Sequence, residues 1–262
     1  MASELARETV HTEFGSILKE WRKVRRFSQL DLSLEADMSA RHLSFLESGR
    51  SKPSRAMVLR LSDALQLPRP MANQALHAAG FAAVYPSLPD DAPELAPVHQ
   101  AIATMLDHHD PYPGIAVDRY WNVVRSNKGA EMLLAVANPG DGVNMMDILI
   151  NSAGLGLIEN WDEVAMLSLT RLRTEILELG GDEKLSALMR RLSDLEQVKN
   201  ADLTAINLNQ AVIPTILRVG ENRLSLFSTI AQFGSVQDTQ AGETRIELMF
   251  PMDDETVQFF ES

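Results

Sequence analysis

Residues 38–54, MSARHLSFLESGRSKPS, gather side chains that can read the surface of a nucleic acid. An arginine fork fits the two acceptors on the major-groove edge of guanine, a serine can bond a base edge or a phosphate, and a phenylalanine ring can press on a thymine methyl. On a helix turning 100° per residue, Leu46 and Glu47 stay within about 60° of Leu43, whereas Arg41, Ser44, Phe45 and Ser48 fall on the opposite half. Burial of the leucines therefore turns the hydrophilic half outward. Ser39 and Ala40 at the helix tip reach the same surface. Gln29, His42, Arg50 and Lys52 stand around it, where they can hold phosphates and fix the register. A solvated face of an ordinary helical bundle could carry similar residues, so the reading depends on the elements that present them.

Those elements are short helices. Phe14, Ile17, Leu18, Trp21 and Val24 recur at spacings of three and four and define the inner face of a first helix, followed by basic residues. Ser28 caps a second helix that reaches Ala36, Asp37 and Met38 form a tight turn, and Ser39 caps a third that ends at Gly49. A fourth helix opens at Pro53 and Ser54, with Met57, Leu61, Ala64 and Leu65 on one side. A fifth spans 70–79. Two short helices across a tight turn, buried by flanking helices, form a helix-turn-helix.

This order, with Gln29 in SQLDLSLEAD, the segment MSARHLSFLESGRSKPS and the closing LRLSDALQLP, resembles the phage-repressor or Xre family of helix-turn-helix proteins over about residues 11–70. The resemblance implies a structural ion pair between a buried arginine of the first helix and the acid before the glycine, here Arg22 and Glu47. A single helix-turn-helix buries little surface on DNA, so a homodimer on a roughly palindromic double-stranded DNA operator is expected. Asp37 stands where the family often has glycine, and Ser33 where it usually has alanine.

Charge supports two parts of different character. The chain of 262 residues has a formal net charge of −12, yet residues 1–80 hold 12 Lys and Arg against 9 Asp and Glu, leaving 12 against 27 in the remainder. A locally basic module can dock on phosphate while an acidic body repels it. The proline-rich stretch PSLPDDAPELAP, 86–97, reads as a connector. The expected division is a DNA-binding domain over 1–82, a linker over 83–97 and a second domain over 98–262.

The second domain alternates helices and strands. Helices are expected at 98–109, 128–137, 161–179 and 183–195, and strands at 114–118, 121–126, 212–220, 223–234 and 244–251, with GEN (220–222) as a hairpin turn. The expected fold class is an all-α helix-turn-helix domain followed by an α+β domain, an antiparallel sheet with helices on one face. The stretches PGIAVDRYWNVVRSNKGAEMLL, NWDEVAMLSLTRLRTEI and LSLFSTIAQFGSVQDTQAGETRIELMFPMDDETVQFF resemble the MmyB-like ligand-binding domain, a PAS-like fold. That resemblance implies a sensor domain holding a small apolar, fatty-acid-like molecule; the alternating apolar residues of the strands offer Trp121, Val123, Phe227, Thr229 and Met249 as candidate lining, and the domain is also expected to supply the dimer contact. A domain that only dimerises or binds a protein partner is the alternative.

Other chemistries find little support. Zero cysteines exclude disulfides and thiolate sites. His108, His109 and Asp110 are adjacent and point about 100° apart, unlike the i, i+4 spacing of helical metal ligands, so no metal is expected. GLG at 154–156 lacks the rest of a dinucleotide loop, and no cofactor is expected. Asp162, Glu163, Glu175 and Glu178 read as the wet side of a long helix. No nucleophile set announces itself, so no catalytic residues and no enzyme activity are expected. With no apolar run of about 20 residues and no signal-like start, a cytoplasmic protein without membrane attachment is expected.

Overall fold

Ser28 shows how local chemistry shapes the first unit: its side chain accepts from the Asp31 N–H, and the Asp31 carboxylate accepts from the Ser28 N–H. This reciprocal cap fixes the start of a helix at Gln29. The computed structural model of the protein describes residues 2–137, 142–200 and 212–262, with side chains from residue 13 onward. Contacts divide it into two units, Met1–Ser87 with Leu177–Gly181, and Leu88–Ile176 with Asp182–Ser262.

The first unit is all-α: α1 (Ala2–Val24), α2 (Gln29–Glu35), α3 (Ala40–Glu47), α4 (Arg55–Ala64) and α5 (Arg69–Ala78). Phe14, Leu18 and Trp21 of α1 pack with Leu32, Leu43, Leu46, Val58, Leu61 and Leu76 in one core. Helices α1 to α4 end alike. In each, a residue at positive φ follows the last turn: Arg26 (58°), Asp37 (47°), Gly49 (72°) and Gln66 (51°). The next N–H in each case bonds back to a carbonyl five residues earlier, as Met38 does to Ser33 and Arg50 to Phe45, both at 2.9 Å. The turn between α2 and α3 is thus a helix stop followed at once by the Ser39 cap, which accepts from the His42 N–H at 3.2 Å.

The second unit begins with a 3₁₀ turn, Pro93–Leu95, and continues with α6 (Ala96–His109), β1 (Gly114–Val117), β2 (Val123–Ser126), α7 (Lys128–Ala137), α8 (Met145–Asn151), α9 (Trp161–Glu178, its last two residues grouping with the first unit), α10 (Glu183–Ser193), α11 (Glu196–Lys199), β3 (Thr215–Val219), β4 (Asn222–Gln232), β5 (Arg245–Pro251) and α12 (Asp254–Glu261). The strands form one antiparallel sheet in the order β2-β1-β5-β4-β3. The domain is α+β and PAS-like, as expected. Gly220, at φ 62°, opens the tight β3–β4 hairpin.

Three expectations need correction. Helices cover both faces of the sheet: Ile102 and Leu106 of α6 pack on Ala116 and Ile246, whereas Ile115 and Glu247, which pair one residue along, face the opposite way, toward α7–α9. Short helices α8, α11 and α12 also escaped the sequence reading, although Asn144 and Asp253 cap α8 and α12 through side-chain acceptors. The proline-rich stretch is not a free connector, because Leu88, Ala92 and Leu95 pack with Val236 and Ala241, and Asp238 accepts from the Leu88 N–H at 2.8 Å.

Candidate nucleic-acid interface and ligand cavity

Helix α3 buries Leu43 and Leu46 completely. Ser39, Arg41, Arg50 and Lys52 are exposed, and Ala40, His42, Ser44 and Phe45 are partly so. The hydrophilic flank is therefore open to solvent. The Arg41 guanidinium lies over the Phe45 ring at 5.4 Å, and His42 Nε2 is 3.4 Å from Ser51 Oγ. Arg55 and Arg60 are also exposed, and Arg60 Nη1 donates to the Asp37 carbonyl oxygen at 3.4 Å in the turn before α3.

Its orientation is set from beneath. Arg22 of α1 donates to both Glu47 oxygens, Nε at 2.5 Å and Nη2 at 3.0 Å, with side-chain exposures of 12% and 4%. Gln29 Nε2 donates to Glu47 Oε2 at 2.7 Å. Burial pushes the Glu47 carboxyl up, but the bonds from Arg22 and Gln29 outweigh it and hold the group below the usual carboxylate range. The pair expected from resemblance thus ties α1 to α3. Gln29, read from the sequence as a phosphate contact, directs its amide N–H to this acid and so joins α2 to the same node. Sequence reasoning missed Gly15: a Cβ there would lie 2.6 Å from the Glu47 carbonyl oxygen and 2.7 Å from that of Leu46, so only glycine lets α1 approach α3 this closely. A glycine in the interior of α1, on the same line as Arg22 seven residues later, was the available signal.

Between the sheet and α7–α9 of the second unit lies a cavity of about 210 Å³. Ile115, Leu217, Leu226 and Met249 form its floor, and Leu133, Met146, Leu149 and Val164 its roof. Of the five residues proposed from sequence, Trp121, Phe227 and Met249 border it, whereas Val123 and Thr229 lie outside the lining. For Thr229 the reason is strand parity. Met249 pairs with Ser228, and Thr229 pairs with Leu248, so Thr229 belongs to the opposite face; Leu226 and Ser228 take the cavity side of β4.

Trp121 holds a polar corner of the cavity. Its backbone has φ 68°, a strained value for a bulky residue, and the guanidinium groups of Arg171 and Arg245 lie 4.1 and 4.3 Å from its ring centroid. Its Nε1 donates to Glu175 at 3.0 Å, and Arg245 donates to the same carboxylate. Glu175, expected on a wet helix face, is instead 15% exposed and shared with Arg171 at 3.3 Å, because α9 turns this acid toward the sheet. His108 is exposed, and His109 Nε2 lies 2.8 Å from the Met249 carbonyl oxygen. Among the described residues no His, Cys, Asp or Glu group has the arrangement of a metal site, and no helix is long and apolar enough to cross a membrane.

A helix-turn-helix with an exposed polar flank, in one chain with an α+β unit that holds a largely apolar cavity, is the build of a DNA-binding regulator equipped to hold a small molecule. Residues 98–262 match the MmyB-like transcription regulator ligand binding domain, and residues 18–70 match a helix-turn-helix family. The first match covers well over half of the chain, which belongs to the MmyB-like transcription regulators. No curated protein matches the chain.

Proposed function

We propose that the protein acts as a homodimer on a roughly palindromic operator and that its second unit binds a small apolar, fatty-acid-like molecule. The exposed flank of α3 over fully buried Leu43 and Leu46 is the observation that carries the DNA reading. In this reading Ser39, Ala40, Arg41, Ser44 and Phe45 meet base edges, while His42, Arg50 and Lys52 hold phosphates. Gln29 contributes by orienting Glu47 and by its place at the start of α2. One short helix contacts few base pairs, so two copies on half-sites about 34–36 Å apart supply the missing affinity and specificity.

The ligand reading rests on the cavity walls, which are predominantly apolar. At about 210 Å³ the space exceeds the roughly 150 Å³ of an engineered apolar cavity that takes benzene, and it suits a short or medium acyl chain.

Operators selected from random duplexes provide the test. Arg41→Ala should weaken binding by about 1–3 kcal/mol and relax the choice at one base position, whereas Lys52→Ala should weaken all sequences alike and reduce the salt slope by about one. Two variants that both bind the selected operator like the parent would overturn the assignment of α3 as the reading helix.

A further inference from the structure

Besides Ser152 and Thr215, the polar lining of the cavity includes a charged group where Ser168 and Arg171 of α9 line it together with Ser228 of β4 and Glu247 of β5. Ser228 Oγ donates to Glu247 Oε1 at 2.5 Å. Ser168 and Arg171, three residues apart, share a face of α9. The charges on this side are matched before any ligand enters. Arg245 pairs with Glu175, and Arg171 reaches that carboxylate as well. Burial lowers the pKa of Arg171, and the negative charge of Glu247 opposes that effect. Two guanidinium groups thus stand against two carboxylates. Arg218 also borders the cavity, but its neighbours Leu217 and Val219 take the inward positions of β3 and its guanidinium pairs with Glu159 at 2.9 Å.

A ligand carboxylate lodged beside Arg171 would add a negative charge next to Glu247 in a partly desolvated space, where like charges disfavour one another. A neutral head bearing one acceptor and one donor meets no such opposition. Its oxygen can accept from Arg171, and its N–H or O–H can donate to Glu247, leaving neither group unpaired. Resting on the reading of this cavity as an acyl-chain site, we infer that it selects a neutral amide or alcohol head rather than a carboxylate. The ligand class is then a fatty amide or alcohol, with Arg171 and Glu247 as the residues that discriminate.

Titration calorimetry on the intact protein at neutral pH, with decanamide, 1-decanol and decanoate as probes, tests this. Decanamide is expected to bind at least about tenfold more tightly than decanoate, a difference of about 1.4 kcal/mol, with 1-decanol on the decanamide side. Glu247→Gln removes the opposing charge and should strengthen decanoate by about tenfold while changing decanamide much less. A purely structural role for Glu247 would weaken both probes. Decanoate binding to the native protein as tightly as decanamide overturns the neutral-head inference and leaves the acyl-chain reading standing. Failure of all three probes overturns the acyl-chain reading and this inference with it. If the variant does not fold, the comparison of probes on the native protein decides alone.

Discussion

Removal of the Glu47 carboxylate by Glu47→Ala strands two donors at once, because Arg22 and Gln29 both converge on it. Side-chain exposures of 12% and 4% make this a largely buried pair, and breaking one partner of such a pair costs about 3–5 kcal/mol. The small residual exposure of Arg22 places the expectation at the lower end, about 3 kcal/mol. Because the chain has two units, global melting need not be two-state, and the effect is better read locally by hydrogen exchange of α1 and α3 amides. At about 1.36 kcal/mol per decade, the opening constant should rise roughly 150-fold. The folded pKa of Glu47 lies below its unfolded value, so the contribution is fully present above about pH 4.3 and disappears as pH falls through the lower folded value. The alanine variant should therefore lose the part of the acid sensitivity that belongs to this group. The double variant Arg22→Met with Glu47→Leu should lose less than Glu47→Ala alone, since no charge is left buried. An exchange increase below tenfold in Glu47→Ala would refute the pair as the tie between these helices.

Gly15→Ala should lower stability by about 1–3 kcal/mol, because its Cβ would meet backbone carbonyl oxygens that cannot swing aside; exchange of α3 amides checks this. Asp37→Val should cost about 1–2 kcal/mol in denaturant unfolding of the first unit, since a β-branched residue tolerates φ 47° poorly, while Asp37→Gly should be neutral or stabilising. Leu134→Trp, at the cavity wall, should weaken decanamide binding at least tenfold in calorimetry and leave operator binding of the ligand-free protein unchanged.

The first unit was legible because its signals are local. Ser28, Ser39 and Gly49 announce caps and stops within a few residues, and the 3.6-residue period separates Leu43 and Leu46 from Arg41 and Phe45 without knowledge of any partner. What escaped there depends on contacts distant in sequence. Gln29 looked free for phosphate until α3 brought Glu47 to it, and Gly15 gains its meaning only from the α3 backbone. The second unit was harder. The existence of its five strands could be read, but a cavity wall depends on which alternate residues face inward. A one-residue error of parity exchanged Ser228 for Thr229. Glu175 failed for a related reason: charge suggested solvent, while its place on α9 set it beside Arg245 and Trp121.

These two kinds of construction bear on how a ligand can act. Helix α3 is over-determined: an ion pair, a glutamine hydrogen bond and a glycine contact fix it against α1 and α2, and a serine cap fixes its start. Any ligand effect that bent this arrangement would have to offset several of these interactions together, a few kcal/mol or more. A bound molecule shifts an equilibrium only by its difference in affinity between two states. In the proposed homodimer, regulation by a small cavity ligand is therefore better served by states that keep each helix-turn-helix intact and differ in how the two are presented to successive half-sites. The ligand should then change operator affinity and its dependence on half-site spacing, while base preference within a half-site stays the same.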